Sequence, residues 1–428
     1  MNRNLTRRVF RSCTSVASLI LASLAGAQTA LTVDDAVKEG LQNNPQAAAA
    51  LAGVRSALAS YRSLAVLSPV TLGASHIQGT STAPTLNGTN NDTFLDLGET
   101  VDLSGQRRYQ AAGANATYKS TLYQYQETLL GLEQQIRDAY WSLAAAQSQT
   151  RFGIESLKEA QHVYDLTVKQ QQAGASPTGD VVRSSIDVAN AKQSLITAQS
   201  AERTALFAFN TLLAKPPSTP ETLAEDFSHE PVVVLPRIEE LGKQSQENRP
   251  LLKSAQEQSN AAKYPVRQAE ASHWPDLTVD FQRSTTQEIN SLIFGLSFPL
   301  LDFGSVSQSV RAAKETRKQV QAQEVQTQQQ VAQQVAQAHA DLESALQAAS
   351  SYKKEILDPS ETLLTMARLG YSQGATGILP VIDAESTIRN ARVGYINALL
   401  AVYKAQDEVL AATGTRPSGA PVSTVIKP

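Results

Sequence analysis

Residues 105–172 read GQRRYQAAGANATYKSTLYQYQETLLGLEQQIRDAYWSLAAAQSQTRFGIESLKEAQHVYDLTVKQQQ, and the stretch predicts one helix from Gly105 to Gln172. At 1.5 Å per residue a helix of about 68 residues runs roughly 100 Å, several times the width of an ordinary domain. It cannot be folded away inside a globule. A second helix of similar length is predicted from Gly304 to Gln373. Each is preceded by two short alternating segments and followed by a further helical stretch. The unit is therefore helix, strand, strand, very long helix, shorter helix, and it occurs twice.

The duplication is visible residue by residue. Ala173-Gly174-Ala175 returns about 200 residues later as Gln373-Gly374-Ala375, followed at the same offset by Val181 and Val381, Asn190 and Asn390, Ala191 and Ala391. The turn Asp102-Leu103-Ser104-Gly105 corresponds to Leu301-Asp302-Phe303-Gly304, and Leu41-Gln42-Asn43-Asn44-Pro45 to Ser245-Gln246-Glu247-Asn248-Arg249-Pro250. The resulting division is a leader over 1–27, a first repeat over 28–213, a proline-rich linker over 214–236, a second repeat over 237–414 and a tail over 415–428. The linker, with Pro216, Pro217, Pro220, Pro231 and Pro236, reads as an extended segment lying across the helices.

Both long helices carry heptad seams: Leu129, Leu132, Ile136, Ala139, Leu143 and Ala146 in the first, Val331, Val335, Ala338, Leu342, Ala345 and Ala349 in the second. The seams are narrow and alanine-rich, and the other faces are largely polar, with a glutamine-dense run from Gln319 to Gln337. An isolated coiled-coil rod fits that pattern. So does a tube whose polar inner face lines water.

The first helix is predicted from Val33 to Leu67, ended by Pro69, with Asp34 and Asp35 favouring its dipole. Strands follow at 70–79 and 92–102, the second with Leu95, Leu97, Val101 and Leu103 opposing Asp96, Gly98, Thr100 and Asp102, and with Glu99 interrupting the apolar row. In the second repeat Leu277, Val279 and Phe281 alternate with Asp276, Thr278, Asp280 and Gln282, while Leu292, Phe294, Leu296 and Phe298 alternate with Ile293, Gly295 and Ser297. Each run is about 9 to 11 residues, the length of a tilted membrane strand. A half-buried soluble sheet alternates in the same way. Aromatic residues at membrane depth point the second pair towards lipid, with the polar loops Thr80 to Asn91 and Ser284 to Asn290 facing outside. Four strands cannot close, and open edges in hydrocarbon cost several kcal/mol per unpaired group, so a membrane barrel would have to be shared between copies. About 8 strands is the smallest membrane barrel: two chains are the lower bound, and three would give twelve strands.

The first 27 residues resemble a secretory signal, with Arg3, Arg7, Arg8 and Arg11, an apolar Val16 to Leu24, and Ala25-Gly26-Ala27 before Gln28. Thr6-Arg7-Arg8-Val9-Phe10 also fits a twin-arginine signal. The single cysteine, Cys13, lies in this leader, so the exported chain has no disulfide or thiol chemistry. Loss of four arginines and no acid takes the formal charge from −3 to about −7, which argues against nucleic acid. No later stretch has the 18 or so apolar residues of a membrane helix.

Signs of catalysis are missing. His76, His162, His229, His273 and His339 are scattered without metal-ligand spacing, and no phosphate loop or nucleophile elbow is present. Asp34-Asp35 and Glu239-Glu240 fall in first helical turns, where the dipole explains them. No enzyme, cofactor or metal site is expected.

The duplicated layout, Tyr371-Ser372-Gln373-Gly374 followed by Val381-Ile382-Asp383-Ala384, and the turn Phe298-Pro299-Leu300-Leu301-Asp302-Phe303-Gly304 together resemble the TolC family of outer-membrane efflux channels. The resemblance covers nearly the whole mature chain. It implies a mainly helical fold with membrane β: a homotrimer sharing a twelve-stranded barrel in outer-membrane lipid, continued by a periplasmic helical tunnel. It further implies docking to a periplasmic adaptor protein and, through it, to an inner-membrane efflux pump, with the chain as a passive exit duct. The family's pair of acids at the periplasmic mouth corresponds here to Pro380 and Asp383, so one acidic ring is expected, although Asp383 could instead cap its helix. The family's tip lock corresponds to Asp180 and Tyr371, with Thr376 standing where the family has arginine. Adaptor contact is expected at the tips, around Gly174, Ser176, Gly179, Gly374 and Gly377. The segment Val101-Asp102-Leu103-Ser104-Gly105-Gln106-Arg107-Arg108 is similar to the heavy-metal cation branch. Two other readings stay open: a coiled-coil structural protein of the surface or periplasm, and the outer-membrane channel of type I protein secretion.

Overall fold

The computed structural model describes residues 30–66, 69–80, 89–225, 227, 235–285, 290–297 and 303–415. The leader, Phe298 and the turn up to Asp302, the middle of the 80–91 loop and the tail beyond 415 lie outside them.

The first repeat opens with two helices, α1 (Val33–Asn43) and α2 (Pro45–Ala65), where one was expected to Leu67. Pro45 has no N–H to continue the ladder and suits a first helical position. Asn44 makes the break productive: its side chain accepts from Gln46 N at 2.8 Å and its amide donates to Leu212 O at 2.9 Å. Strands β1 (Thr71–Thr80) and β2 (Thr89–Val101) follow, then α3 (Gln106–Gln172), 67 residues without interruption, and α4 (Thr178–Leu212). Asp102 starts α3 by accepting from Gly105 N at 2.8 Å, from the Ser104 hydroxyl at 2.6 Å and from Arg107 N at 2.6 Å.

The second repeat is α5 (Ile238–Asn248), α6 (Pro250–Ala261), α7 (Lys263–Ala271), β3 (Asp276–Ser284) and β4 (Asn290–Ser297). Arg249-Pro250 breaks this half where Asn44-Pro45 breaks the first. The expected helix from Gly304 to Gln373 is not uniform. It consists of α8 (Ser305–Ser351), a π-helical turn over Tyr352–Leu357, and α9 (Asp358–Ser372), before α10 (Leu379–Thr413) returns. The wider turn is accommodated from α10, because the Tyr352 hydroxyl occupies the space a Cβ at Gly394 would need.

The strands form one antiparallel sheet in the order β1-β2-β3-β4, so the two repeats join at β2 and β3. In the helical part α3 packs along α4 and along α10, and α10 packs along α9. The heptad seams supply the core: Leu129, Leu132, Ile136 and Leu143 with Tyr140, Trp141 and Phe209 in one cluster, Val331, Val335, Ala338 and Leu342 in another. The chain beyond Leu213 crosses α3: Leu31 pairs with Leu223, Gln147 donates to Glu221 O at 3.2 Å, and the Tyr140 hydroxyl lies 2.8 Å from Leu31 O and against the Glu225 carboxylate. Among the described residues no helix is long and apolar enough to cross a membrane.

Candidate functional site

The sheet sorts its side chains by register. Leu72 stands opposite Leu97, Leu97 opposite Phe281, and Phe281 opposite Leu292, so one apolar row crosses all four strands. Val101, Leu277 and Leu296 make a second row, and Glu99, Val279 and Phe294 a third, in which Glu99 is the one charge. Leu72, Leu97, Phe281, Leu292, Phe294 and Leu296 are exposed, while Leu277 and Val279 are half-buried. The reverse face is largely polar: Gly73, Asp96, Gln282 and Ser291 form one row, Thr71, Gly98, Asp280 and the apolar Ile293 another. Gly98 leaves room for the Asp280 carboxylate and Gly295 for the Thr278 hydroxyl, while Ser75 donates to Asp96 at 3.0 Å. An apolar face and a wet face therefore belong to one sheet, whose β1 and β4 edges have no partner strand among the described residues.

At the far end lie two helical tips. Gly174 and Gly374 adopt left-handed φ of 75° and 70°, which reverses the chain between α3 and α4 and between α9 and α10. Gly174, Gly179, Gly374 and Gly377 are exposed, a Cβ at any of them would meet nothing, and Ser176 is half-buried. The tips are level, since the buried Tyr371 hydroxyl donates to Gln170 Oε1 and lies 3.4 Å from Thr167 Oγ1.

Within the chain the Tyr371 hydroxyl is held by Gln170 and not by Asp180. Asp180 instead accepts from the Ser176 hydroxyl at 3.1 Å and lies 3.7 Å from Arg183. The arginine-free position behaves accordingly, Thr376 using its backbone N–H on Gly370 O at 3.3 Å. Asp383 is not a cap, because the residue at the N-cap of α10 is Ile378. It stands exposed on the first turns of α10, and among the described residues its carboxylate has no hydrogen bond or ion pair.

Deeper between the hairpins lies a network that the sequence reading missed. Arg389 of α10 pairs with the buried Asp187 of α4, and its second nitrogen lies 3.9 Å from Glu385. Arg368 of α9 reaches Glu385 at 3.2 Å and Glu159 of α3 at 3.0 Å. Arg392 adds Glu361 at 3.2 Å and stacks over the Phe152 ring. All four helices are thus tied through charge. Burial pushes the Glu385 carboxyl above the usual carboxylate range, although Arg368 opposes it. The signal available in the sequence was an acid on an apolar seam: Glu385 falls between Val381, Ala384 and Ile388, all buried.

A second missed network sits in the core near the chain's start. Arg137 holds Asp407 at 2.7 Å and Asp34 at 3.2 Å, and the Trp141 indole donates to Asp407 at 3.0 Å. Asp34 therefore does more than favour a helix dipole. Next to it Asp138 is pushed up to about 6 by burial and by the neighbouring charge of Asp407.

Among the described residues no group of three or more histidines, cysteines or carboxylates could hold a metal ion. His76 bonds Thr93 and His339 bonds Pro236 O.

This arrangement matches known proteins over most of its length. The family model described as outer membrane efflux protein matches residues 36–215 and 241–415. The chain is 23% identical over 315 residues, 71% of its own length and 73% of the relative's, to the cobalt-zinc-cadmium resistance protein CzcC of Cupriavidus metallidurans. Its fold is similar to that of the outer-membrane channel OprN, at 22% identity and a TM-score of 0.78 with 90% of each chain covered. It is also similar to VceC of Vibrio cholerae, at 18% identity and a TM-score of 0.74, covering 90% of this chain and 96% of the other. The open state of MtrE of Neisseria gonorrhoeae aligns at 18% identity and a TM-score of 0.76, covering 90% and 89%. With its two repeats, its two-faced sheet and its paired helical tips, the chain belongs to the outer membrane efflux protein family.

Proposed function

We propose that three copies of this chain pool their strands into a twelve-stranded barrel and their helices into a periplasmic tunnel. The assembly serves as a passive exit duct fed by an inner-membrane pump through a periplasmic adaptor at the tips. The observation that carries this reading is the single sheet with one apolar face, one largely polar face and two edges that no strand among the described residues pairs. In hydrocarbon those edges have to be paired, and the copies supply the partners. No chemical step is assigned to the duct. The mature protein in detergent, measured by light scattering, is expected to contain three chains per particle; a one-chain particle would overturn the assembly.

The mouth is assigned to Asp383. Three unpaired carboxylates around a narrow axis attract cations and repel anions. Asp383→Asn is expected to reduce cation-over-anion permeability, read as a shift in reversal potential under a salt gradient. An unchanged reversal potential would remove Asp383 from the gate. The likeness to CzcC favours metal cations as cargo over drugs or proteins, and metal-dependent growth of a deletion strain with and without the gene tests it.

A further inference from the structure

Directly opposite residues of a sheet share a face, so the register assigns each charge to one side or the other. Asp96 and Asp280 fall on the polar face. The apolar face changes character from one end to the other. At the end where the helices leave, Trp274 and Phe303 are 67% and 92% exposed, and above them come the three rows already described, up to Leu72, Leu97, Phe281 and Leu292. Then the pattern turns polar. In the next row Arg283 stands opposite Asn290, and in the row above it His76 stands opposite Thr93, their side chains 2.9 Å apart. A cation, an amide, an imidazole and a hydroxyl thus cross all four strands near the hairpin turns.

Arg283 is exposed, and among the described residues it makes no hydrogen bond or ion pair. Asp280 is an odd number of positions away and so lies on the other face. Glu99, the acid on the same face, is two rows lower, ~13 Å along the strand. The height of Arg283 is telling. It lies about nine residues beyond Trp274, ~30 Å of extended chain, which a strand tilt of about 40° reduces to ~23 Å along the membrane normal. An outer-membrane barrel carries an apolar band about 25 Å tall, flanked by aromatic residues. Trp274 therefore marks one boundary of that band, and Arg283 stands at the other, where headgroups begin.

We propose that Arg283, with Asn290 and the His76–Thr93 pair beside it, binds the phosphate of an anionic lipid in the outer leaflet, whose acyl chains lie on the apolar row below. The helices leave from the opposite end of the sheet, so this rim is the outer one. A guanidinium presents a planar fork of donors that matches phosphate oxygens, and an amide adds another. An arginine at the edge of hydrocarbon keeps its charge by reaching up to the headgroups. The apolar row beneath favours a lipid over free phosphate, which would leave that row uncovered. The inference rests on the shared-barrel reading and deepens it by naming the lipid class at the rim. In a ring of three copies the site recurs three times.

The test reconstitutes the mature protein into phosphatidylcholine vesicles containing a trace of spin-labelled phosphatidylglycerol or, in parallel, spin-labelled phosphatidylcholine. Electron spin resonance reads the fraction of each label slowed by contact with the protein. Phosphatidylglycerol is expected to be enriched there up to about fivefold, the scale of one arginine beside an anionic headgroup. Arg283→Gln should bring the enrichment close to one, and Arg283→Lys, which keeps the charge, should retain part of it. Excess inorganic phosphate should leave the wild-type enrichment in place. Retention of the protein by the vesicles through an alkaline wash separates the two claims. Retained protein with no enrichment, with equal enrichment in wild type and Arg283→Gln, or with enrichment abolished by inorganic phosphate, overturns the lipid site and leaves the barrel standing. Protein stripped by the wash overturns the barrel and the lipid site together.

Discussion

Asp138 sits in surroundings that oppose its charge. Burial comes first, then the negative charges of Asp407 and Glu408, with Lys404 and Arg137 only partly compensating. Its folded value of about 6 lies above the ordinary aspartate value of 3.8, so between those limits the native state holds more protons than the unfolded one. Stability therefore falls as pH rises through that window. Asp407, Glu408 and Glu385 shift in the same direction. One pKa unit is about 1.4 kcal/mol, and because Asp138 keeps substantial solvent contact the retained effect is nearer ~1 kcal/mol. The expected result is a higher melting temperature at pH 5.5 than at 7.5, with Asp138→Asn flattening the difference and raising the value at 7.5. The Arg389–Asp187 pair is more deeply buried, with side-chain exposures of 15% and 4%. Asp187→Ala leaves a buried guanidinium held only by Glu385, and breaking such a pair costs about 3–5 kcal/mol, here the lower end because that second acid remains. Thermal unfolding of the variant should show it, whereas Asp187→Asn, which keeps an acceptor, should lose less.

At the level of elements, the two helix ends Gly374 and Gly414 offer a controlled comparison. Both are left-handed, at φ of 70° and 69°. Around Gly374 the space is open, but a Cβ at Gly414 would stand 2.9 Å from Arg249 Cα. Asparagine tolerates left-handed backbone, so Gly374→Asn is expected to change stability by well under ~1 kcal/mol. Gly414→Asn collides with backbone that cannot swing aside, and a loss of about 2 kcal/mol or more is expected on the scale of overpacked sites. Equal melting temperatures for the two variants would contradict that geometry. These elements also show what can be read from a chain alone. α3 was legible from end to end because its start, its seam and its glycine tip are all local signals. The sheet faces were legible too, since a period of two marks them without any partner. The break at Asn44-Pro45 was written in the sequence but lost to the helical spacing running through it. The π turn at Tyr352 was not legible, because the gap at Gly394 that the Tyr352 hydroxyl fills becomes a neighbour only when α10 folds back. The Arg389–Asp187 and Arg137–Asp407 pairs hid for the same reason: their partners are about 200 and 270 residues apart.

At the scale of the whole molecule, two repeats meet at β2 and β3 and leave β1 and β4 at the edges of one sheet. A helix about 100 Å long by its rise spreads the core into narrow seams between helices, and such helices build walls. One end of the wall is two-faced sheet and the other is a pair of level tips, and in the proposed ring neighbouring copies would enclose a wet axis from the membrane to the mouth. The central claim is that this axis is a continuous aqueous path. Single-channel recording of the purified mature protein in a planar lipid bilayer tests it most directly. Stepwise, cation-preferring conductance is predicted. A bilayer that stays silent while the protein remains folded in it would contradict the account.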